Sequence, residues 1–285
     1  MNRRDLLRRT ALLGGGAALG WTSTAVTTTG AEPAPDGLRV MSYNIYAGRN
    51  QDNSYNLQRI ADVILAGRPD LVALQEVDVN TTRSSRRDLG RELAELTGMK
   101  VSFGPAMDYQ GGQYGNAVLS RLPMVGERTH ALPGNGGEPR SGAEVLVEVP
   151  GLELPLSLVS LHIDHRSPEL RAKQLEALDQ SLAAEGWSIR LVVGDYNATP
   201  DSDLMKARLG SGDWIDLAPE AARATPTFSS DQPRQRIDYI IAAAPFEHQV
   251  TDYAVGPEMR PDDEDFAAKV ALASDHMPLV AGFRL

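Results

Sequence analysis

Leu191-Val192-Val193-Gly194-Asp195-Tyr196-Asn197-Ala198 is the stretch on which the reading of this chain turns. Its apolar first half, led by Ile189, predicts a buried strand that opens into a loop at Gly194. Alternate residues of an extended chain face one side, so Asp195 and Asn197 point together into one cleft. A carboxylate beside a neutral amide suits a hydrolytic phosphate site, although Gly-Asp-x-Asn also makes ordinary turns.

The same pattern recurs on either side. Residues 154–163 are strand-like and carry His162, Asp164 and His165 at or beyond their end. Ser167 followed by Pro168 is an N-cap with proline at the first helical position, predicting a helix from 168 to about 184. Nearer the start, residues 38–45 alternate, with Val40, Ser42 and Asn44 on one face and Asn44 near the strand's C-terminal end, where open α/β sheets build their sites. Leu57, Ile60, Ala61, Ile64 and Leu65 repeat at helical spacing until Gly67 and Pro69. Residues 70–77 form a second strand, apolar until Gln75 and Glu76; a carboxylate at the end of such a run is costly to bury unless it meets a cation. Further strands are expected at 115–121, 143–149, 237–241 and 279–283, with helices at 88–97 and 201–209. Residues 225–236 and the acidic stretch 257–265 read as loops, and strand character near Phe246 begins only at Val250. Arg83, Arg86 and Arg87 lie in a polar loop that either cradles phosphate or is simply solvated.

The 285 residues are 42% hydrophobic and 23% charged, ordinary globular composition, with no internal repeat. No cysteine is present, so disulfides and thiolate metal sites are excluded, and any metal is held by Asp, Glu, Asn or His. Arg3-Arg4 precedes a glycine-rich, mildly apolar run over 11–26 that is too short and polar to span a membrane. This start resembles a bacterial twin-arginine (Tat) export signal, with cleavage expected after Ala31, or less favourably after Ala25. A basic amphipathic start or an uncleaved membrane tether is the other reading. Residues 32–37 read as a linker and 38–285 as one domain. Losing residues 1–31 removes four Arg and one Asp, which takes the formal net charge from −10 to −13. Such a body repels polyanions at long range.

Six motifs now stand in order: Ser42-Tyr43-Asn44, Gln75-Glu76-Val77, Leu161-His162-Ile163-Asp164, Gly194-Asp195-Tyr196-Asn197-Ala198, Arg236-Ile237-Asp238-Tyr239 and Ser274-Asp275-His276-Met277-Pro278. Together they resemble the endonuclease/exonuclease/phosphatase superfamily, whose founding fold is that of deoxyribonuclease I. The resemblance implies an α/β protein built as a four-layer sandwich, two mixed β-sheets face to face with helices outside. It also implies Mg²⁺-dependent hydrolysis of phosphodiesters or phosphomonoesters without a covalent intermediate, with Mn²⁺ the alternative cation. By the same resemblance Glu76 is the principal metal ligand, with Asn44 beside it and Asp275 assisting. Asp195 orients or deprotonates the attacking water, Asn197 holds a phosphate oxygen, Asp238 and His276 form a carboxylate–imidazole pair, and His162 stabilises developing charge or aids the leaving group. Arg140, Asn116, Asp164 and His165 are the expected phosphate contacts, Asp164-His165 extending the His162 motif as in a bacterial branch of the family. Bottom-up chemistry asks for the same parts: a cation to neutralise the phosphate, a base to generate hydroxide, and open access in line with phosphorus.

No long basic loop of the abasic-site nucleases and no lipid-binding hairpin of the bacterial sphingomyelinases is recognisable. Three functions stay open. The first is an exported phosphoesterase acting on small or lipid-head-group phosphodiesters; the others are a secreted DNA or RNA nuclease and an inactive surface binding module. The acidic body favours the first, and an intact catalytic set counts against the third. The expected partners are a phosphate ester and the Tat machinery, and the mature chain is expected to be an extracellular, cell-surface or periplasmic monomer without a membrane span.

Overall fold

The structure, a computed structural model, describes residues 37–183 and 189–285. The expected export signal, and all of the linker except Gly37, lie outside the described residues. Two six-stranded sheets form the body. The first holds, from edge to edge, β11 (Gln249–Val255), β12 (Leu279–Arg284), β1 (Leu38–Asn44), β2 (Leu71–Val79), β4 (Gly112–Ser120) and β3 (Lys100–Tyr109). The second holds β5 (Met124–Leu132), β6 (Arg140–Val147), β7 (Leu156–His162), β8 (Arg190–Asp195), β10 (Asp238–Ala243) and β9 (Trp214–Asp216). Each sheet contains a single parallel pair, β1 with β2 and β7 with β8, and its other pairs are antiparallel.

A parallel pair needs a crossover, and helices supply both. Helix α1 (Leu57–Gly67) joins β1 to β2, capped by Asn56, whose side chain accepts from Arg59 N. Helix α3 (Pro168–Ala183) joins β7 to β8. With α2 (Leu89–Thr97), α4 (Asp203–Gly210) and α5 (Glu264–Ala273) they cover the outer faces of the sheets. Strand alternation sorts the core into layers. On β1, Met41 and Tyr43 pack outward against α1 and α5, whereas Leu38 and Val40 meet Val145, Leu158, Leu191 and Ile240 between the sheets. On β8, Leu191 and Val193 face that middle layer while Val192 faces the α3 side. This is the expected four-layer sandwich.

The loop expected at 257–265 gives way to helix from Glu264, capped by Asp263, whose carboxylate accepts from Phe266 N. Strands β3, β5 and β9 carry no strong alternating pattern, and all three sit at sheet edges. An edge tolerates Pro105, whose missing N–H coincides with a register shift between Pro105 and Met107. Strand β6 begins at Arg140, earlier than its apolar run, and this puts Arg140 in the sheet.

Candidate active site

Both parallel pairs end at the same rim. Their final registers place Asn44 opposite Gln75 and His162 opposite Asp195, so the carboxyl ends of the two central pairs meet across the sandwich. The rim encloses a cleft of about 930 Å³ whose lining includes Glu76, Arg140, His162, Asp195, Asp275 and His276.

Local backbone aims these groups. Glu76 lies where β2 shifts register against β4, between Leu74 and Val77, and has φ of 58°. The bulge turns its carboxylate to the cleft, where Asn44 Nδ2 lies 3.4 Å from Oε1. Asn197 is likewise left-handed, with φ of 47°, and its N–H donates to Asp195 Oδ1 at 2.8 Å. Gly194 is demanded outright: at φ of 150°, a Cβ there would lie 1.9 Å from the Leu161 carbonyl oxygen. Asn44 is pinned from behind, its carbonyl accepting from Ser274 Oγ at 2.7 Å and its side-chain oxygen from Tyr46 N at 3.1 Å.

Two histidines flank Asp195. His276 Nδ1 meets Asp238 Oδ2 at 3.0 Å, and Nε2 lies 3.6 Å from Asp195 Oδ2. Asp238 also accepts from Thr227 Oγ1 at 2.6 Å, and the Phe228 ring packs on the imidazole at 4.8 Å between centroids. Burial works against charge on His276, but Asp238 and Asp195 outweigh it and hold the ring up to about 10. His162 Nε2 lies 3.5 Å from Asp195 Oδ2, and Arg140 Nη1 donates to its Nδ1 at 3.2 Å. Burial, then Arg140 and the neighbouring histidines, hold His162 well below its usual value. One ring is therefore cationic and the other neutral. The ring meets a donor at each nitrogen, the Arg140 guanidinium at Nδ1 and the Asn197 amide nitrogen at Nε2, 3.1 Å away, with Asp195 Oδ2 just beyond. Burial pushes Asp195 upward too, with Asp238 adding to it against the pull of His276.

The donor set fits a hard divalent cation. Burial raises Asp275 to about 6, opposed by His276 and reinforced by the like charge of Glu76, and a cation between the two carboxylates would relieve that repulsion. Asp195, Asp238 and His276 also bring ligand atoms within 4.8 Å of one another. Asp238 is already engaged by Thr227 and His276, however, which leaves the carboxylates of Glu76 and Asp275 better suited; Asn44 stands beside them with its oxygen on Tyr46 N and its amide nitrogen toward Glu76.

The remaining candidates divide. Arg140, only 3% exposed, lies in the cleft wall and bonds Tyr114 Oη at 2.9 Å and His165 Nδ1 at 3.3 Å. His165 lines the cleft; Asn116 and Asp164 do not. Asn116 is buried and donates to the Ser141 carbonyl at 2.6 Å. Asp164 Oδ1 instead accepts from Arg166 N and Ser167 N, fixing the turn into α3. The arginine loop is spoken for as well. Arg83 forms a two-point pair with Asp78 at 2.7 and 2.8 Å, Arg86 donates to the Asn80 and Gly111 carbonyls, and Arg87 pairs with Glu92. Of these only Arg83 reaches the cleft. Thr227, Phe228 and Tyr114 carry no local sequence signal and enter the site through contacts distant in the chain.

Comparison with known proteins agrees with this geometry. Over 154 residues the chain is 31% identical to an uncharacterized Caenorhabditis elegans protein, F14F9.5, a match covering 53% of this chain and 42% of that one. It spans less than half the length of the curated relatives it matches. Among solved structures, an endonuclease/exonuclease/phosphatase from Beutenbergia cavernae superposes with a TM-score of 0.69 at 26% identity, covering 88% of this chain and 72% of that chain. A mannosyl-6-phosphatase from Bacteroides thetaiotaomicron has the same fold, with a TM-score of 0.66 at 17% identity, covering 87% and 100% of the two chains. Residues 41–276 match the Endonuclease/Exonuclease/phosphatase family. With the two-sheet fold and the acid–imidazole rim above, the chain belongs to that Endonuclease/Exonuclease/phosphatase family.

Proposed function

We propose that the protein is an exported phosphodiesterase that cleaves small or lipid-head-group phosphate esters with Mg²⁺. Glu76 and Asp275, with Asn44 beside them, would hold the cation, which would neutralise phosphate charge and make phosphorus more electrophilic. Arg140 and Asn197 hold the non-bridging oxygens. Asp195 orients the attacking water and takes its proton, with His276, fixed by Asp238, beside it. His162, beside Asn197 and Asp195, stabilises the charge that develops on the phosphoryl group or aids departure of the leaving oxygen.

The observation that carries the substrate choice is the arrangement of cations in the cleft. Of the arginines lining the cleft, only Arg140 bonds the His162 ring, its one carboxylate partner being the part-exposed Glu138 at 3.4 Å, while Arg83 is held by Asp78 in a two-point pair and Arg171 donates to the Asp164 carbonyl. One such guanidinium serves one phosphate; a duplex needs cations at several phosphates along its length. The acidic chain supports the same choice. Export by the Tat route is supported by Arg3-Arg4 and by the absence of cysteine.

The test compares kcat/KM for glycerophosphodiesters, bis(p-nitrophenyl) phosphate and plasmid DNA with one Mg²⁺-loaded preparation at about 0.15 M salt. The esters should be preferred, and Arg140→Ala should lower their kcat/KM roughly 10- to 100-fold, as expected for losing a charge-assisted contact. Efficient plasmid nicking with negligible ester hydrolysis would reject the proposal in favour of a nuclease.

A further inference from the structure

The proposed site is split between the sheets. Its proposed cation side, Glu76 and Asp275 with Asn44 beside them, is carried by the first sheet or the turn leading into it, and Arg140, His162, Asp195 and Asn197 by the second or the loop leaving it. Something must fix the spacing of the halves. Most of the middle layer cannot, because apolar packing such as Val40, Leu71, Val145 and Leu158 is non-directional. Directly beneath the rim that layer changes character. Gln75 Nε2 donates to Ser160 Oγ at 3.1 Å, and Ser160 Oγ donates back across to the Leu74 carbonyl at 2.8 Å. Beside this pair, Asn116 Nδ2 donates to the Ser141 carbonyl at 2.6 Å, and Ser141 Oγ returns to the Gly104 carbonyl at 3.0 Å. All four bonds cross from one sheet to the other, and all four side chains are buried.

Three of the four sit one or two residues from a functional group. Gln75 precedes Glu76 and lies opposite Asn44 in the β1–β2 register. Ser160 is one pleat below His162, and Ser141 follows Arg140 and lies opposite His162 in the β6–β7 register. Hydrogen bonds tolerate little change in distance or angle, so these bonds oppose a shift of one sheet over the other at the one end where a shift would matter.

We propose that Gln75, Ser160, Asn116 and Ser141 are positioning residues: a polar lock that holds the proposed metal half of the site in register with the proposed phosphate half. This rests on the residue roles proposed above. It gives Asn116 a different part from the phosphate contact expected from sequence. The lock predicts a signature that local damage does not share. Because the cation ligands all belong to the first half, loosening the lock spares metal affinity while lowering turnover.

The test uses Ser160→Ala and Asn116→Ala, with Ser160→Thr as the conservative variant and Val145→Ala as an apolar control from the same layer. Turnover of bis(p-nitrophenyl) phosphate, Mn²⁺ affinity by calorimetry and Tm are measured on each. Ser160→Ala and Asn116→Ala should lose about tenfold or more in kcat, since small misplacements of reacting groups are costly. KM and Mn²⁺ affinity should change less than about threefold, and Ser160→Thr should recover most of the rate. Val145→Ala should lower Tm at least as much and keep its kcat. The lock is overturned if the two polar variants keep wild-type kcat, if Mn²⁺ affinity falls in step with kcat, or if the apolar control loses as much turnover. Wild-type protein that binds Mn²⁺ but turns over no ester at all counts against the proposed function. The lock then stands or falls on whether amide exchange at the rim strands β7 and β2 rises in Ser160→Ala but not in Ser160→Thr.

Discussion

Asp238→Asn changes one charge in the site and almost nothing of its shape. In the native protein the carboxylate is buried, accepts from Thr227 and His276, and is the strongest of the anions that keep His276 protonated. The interval from the ordinary 6.5 to about 10 is a preference for the charged ring of roughly 5 kcal/mol, at about 1.4 kcal/mol per pKa unit. Asp195 remains 3.6 Å away in the variant, so about half of that preference should go, roughly 2 to 3 kcal/mol. The ring then keeps only about half of its elevation, still above 6.5 because Asp195 continues to offset burial. The sign follows from linkage: a histidine raised on folding stabilises the native state in full below its unfolded value of 6.5, and that stability is lost as pH rises through about 10. In Asp238→Asn the metal-free protein should therefore show a flatter fall in Tm between pH 6.5 and 10 than wild type. Turnover of bis(p-nitrophenyl) phosphate near neutral pH should fall roughly 10²- to 10⁴-fold, the range for a misplaced acid or base. The assays are kcat–pH profiles with Mg²⁺, proton and nitrogen NMR titration of the His276 ring, and thermal unfolding across the same pH range. A variant within threefold of wild-type kcat, whose ring still stays protonated to pH 9, would refute the account of the pair.

Three further outcomes are expected. Asp275 is raised to about 6 by burial, against His276 and with Glu76, so its proton stabilises the fold at low pH and that contribution is lost as pH climbs from 3.8 through about 6. Mg²⁺ should consequently raise Tm more near pH 7.5 than near pH 5, and Glu76→Gln should abolish most of the rise; an equal effect at both pH values would contradict the assigned ligands. Gly194→Ala places a methyl group against the Leu161 carbonyl, and denaturant unfolding should show a loss of roughly 3 kcal/mol or more, or no folded protein. Replacing Arg3 and Arg4 with Lys should leave the precursor in the cytoplasm of its host, and undiminished export would remove the Tat assignment.

How much could be read before folding depended on how far apart the interacting residues lie. The central strands were legible because both of their faces are buried and the run of apolar residues is local, as in Leu191 to Val193. The edge strands β3 and β5 were not, since half-exposed residues such as Ala106, Met107 and Arg128 leave a weak alternation. Helix α5 was within reach: Asp263 as cap, then Phe266, Val270 and Ala273 at helical spacing, is a signal obscured by the acidic run before it. Among the candidate residues, Asn44, Glu76, His162, Asp195, Asn197, Asp238, Asp275 and His276 come to one rim. The arginine loop gave no such outcome, because Asp78, Glu92 and backbone carbonyls claim its charges.

By itself the sequence determined the two strand–helix–strand units and placed a polar residue at the carboxyl end of each of their strands, since alternation, capping and helix breaking act over a few residues. Only the tertiary structure decided which of those ends face each other. Asn44 meets Asp195 across 151 positions, Gln75 meets Ser160 across 85, and Arg140 finds Tyr114 and His162 on other strands. Such contacts are made by directional bonds between segments whose separation in the chain carries no period, and they form only when two sheets have packed face to face at a definite register.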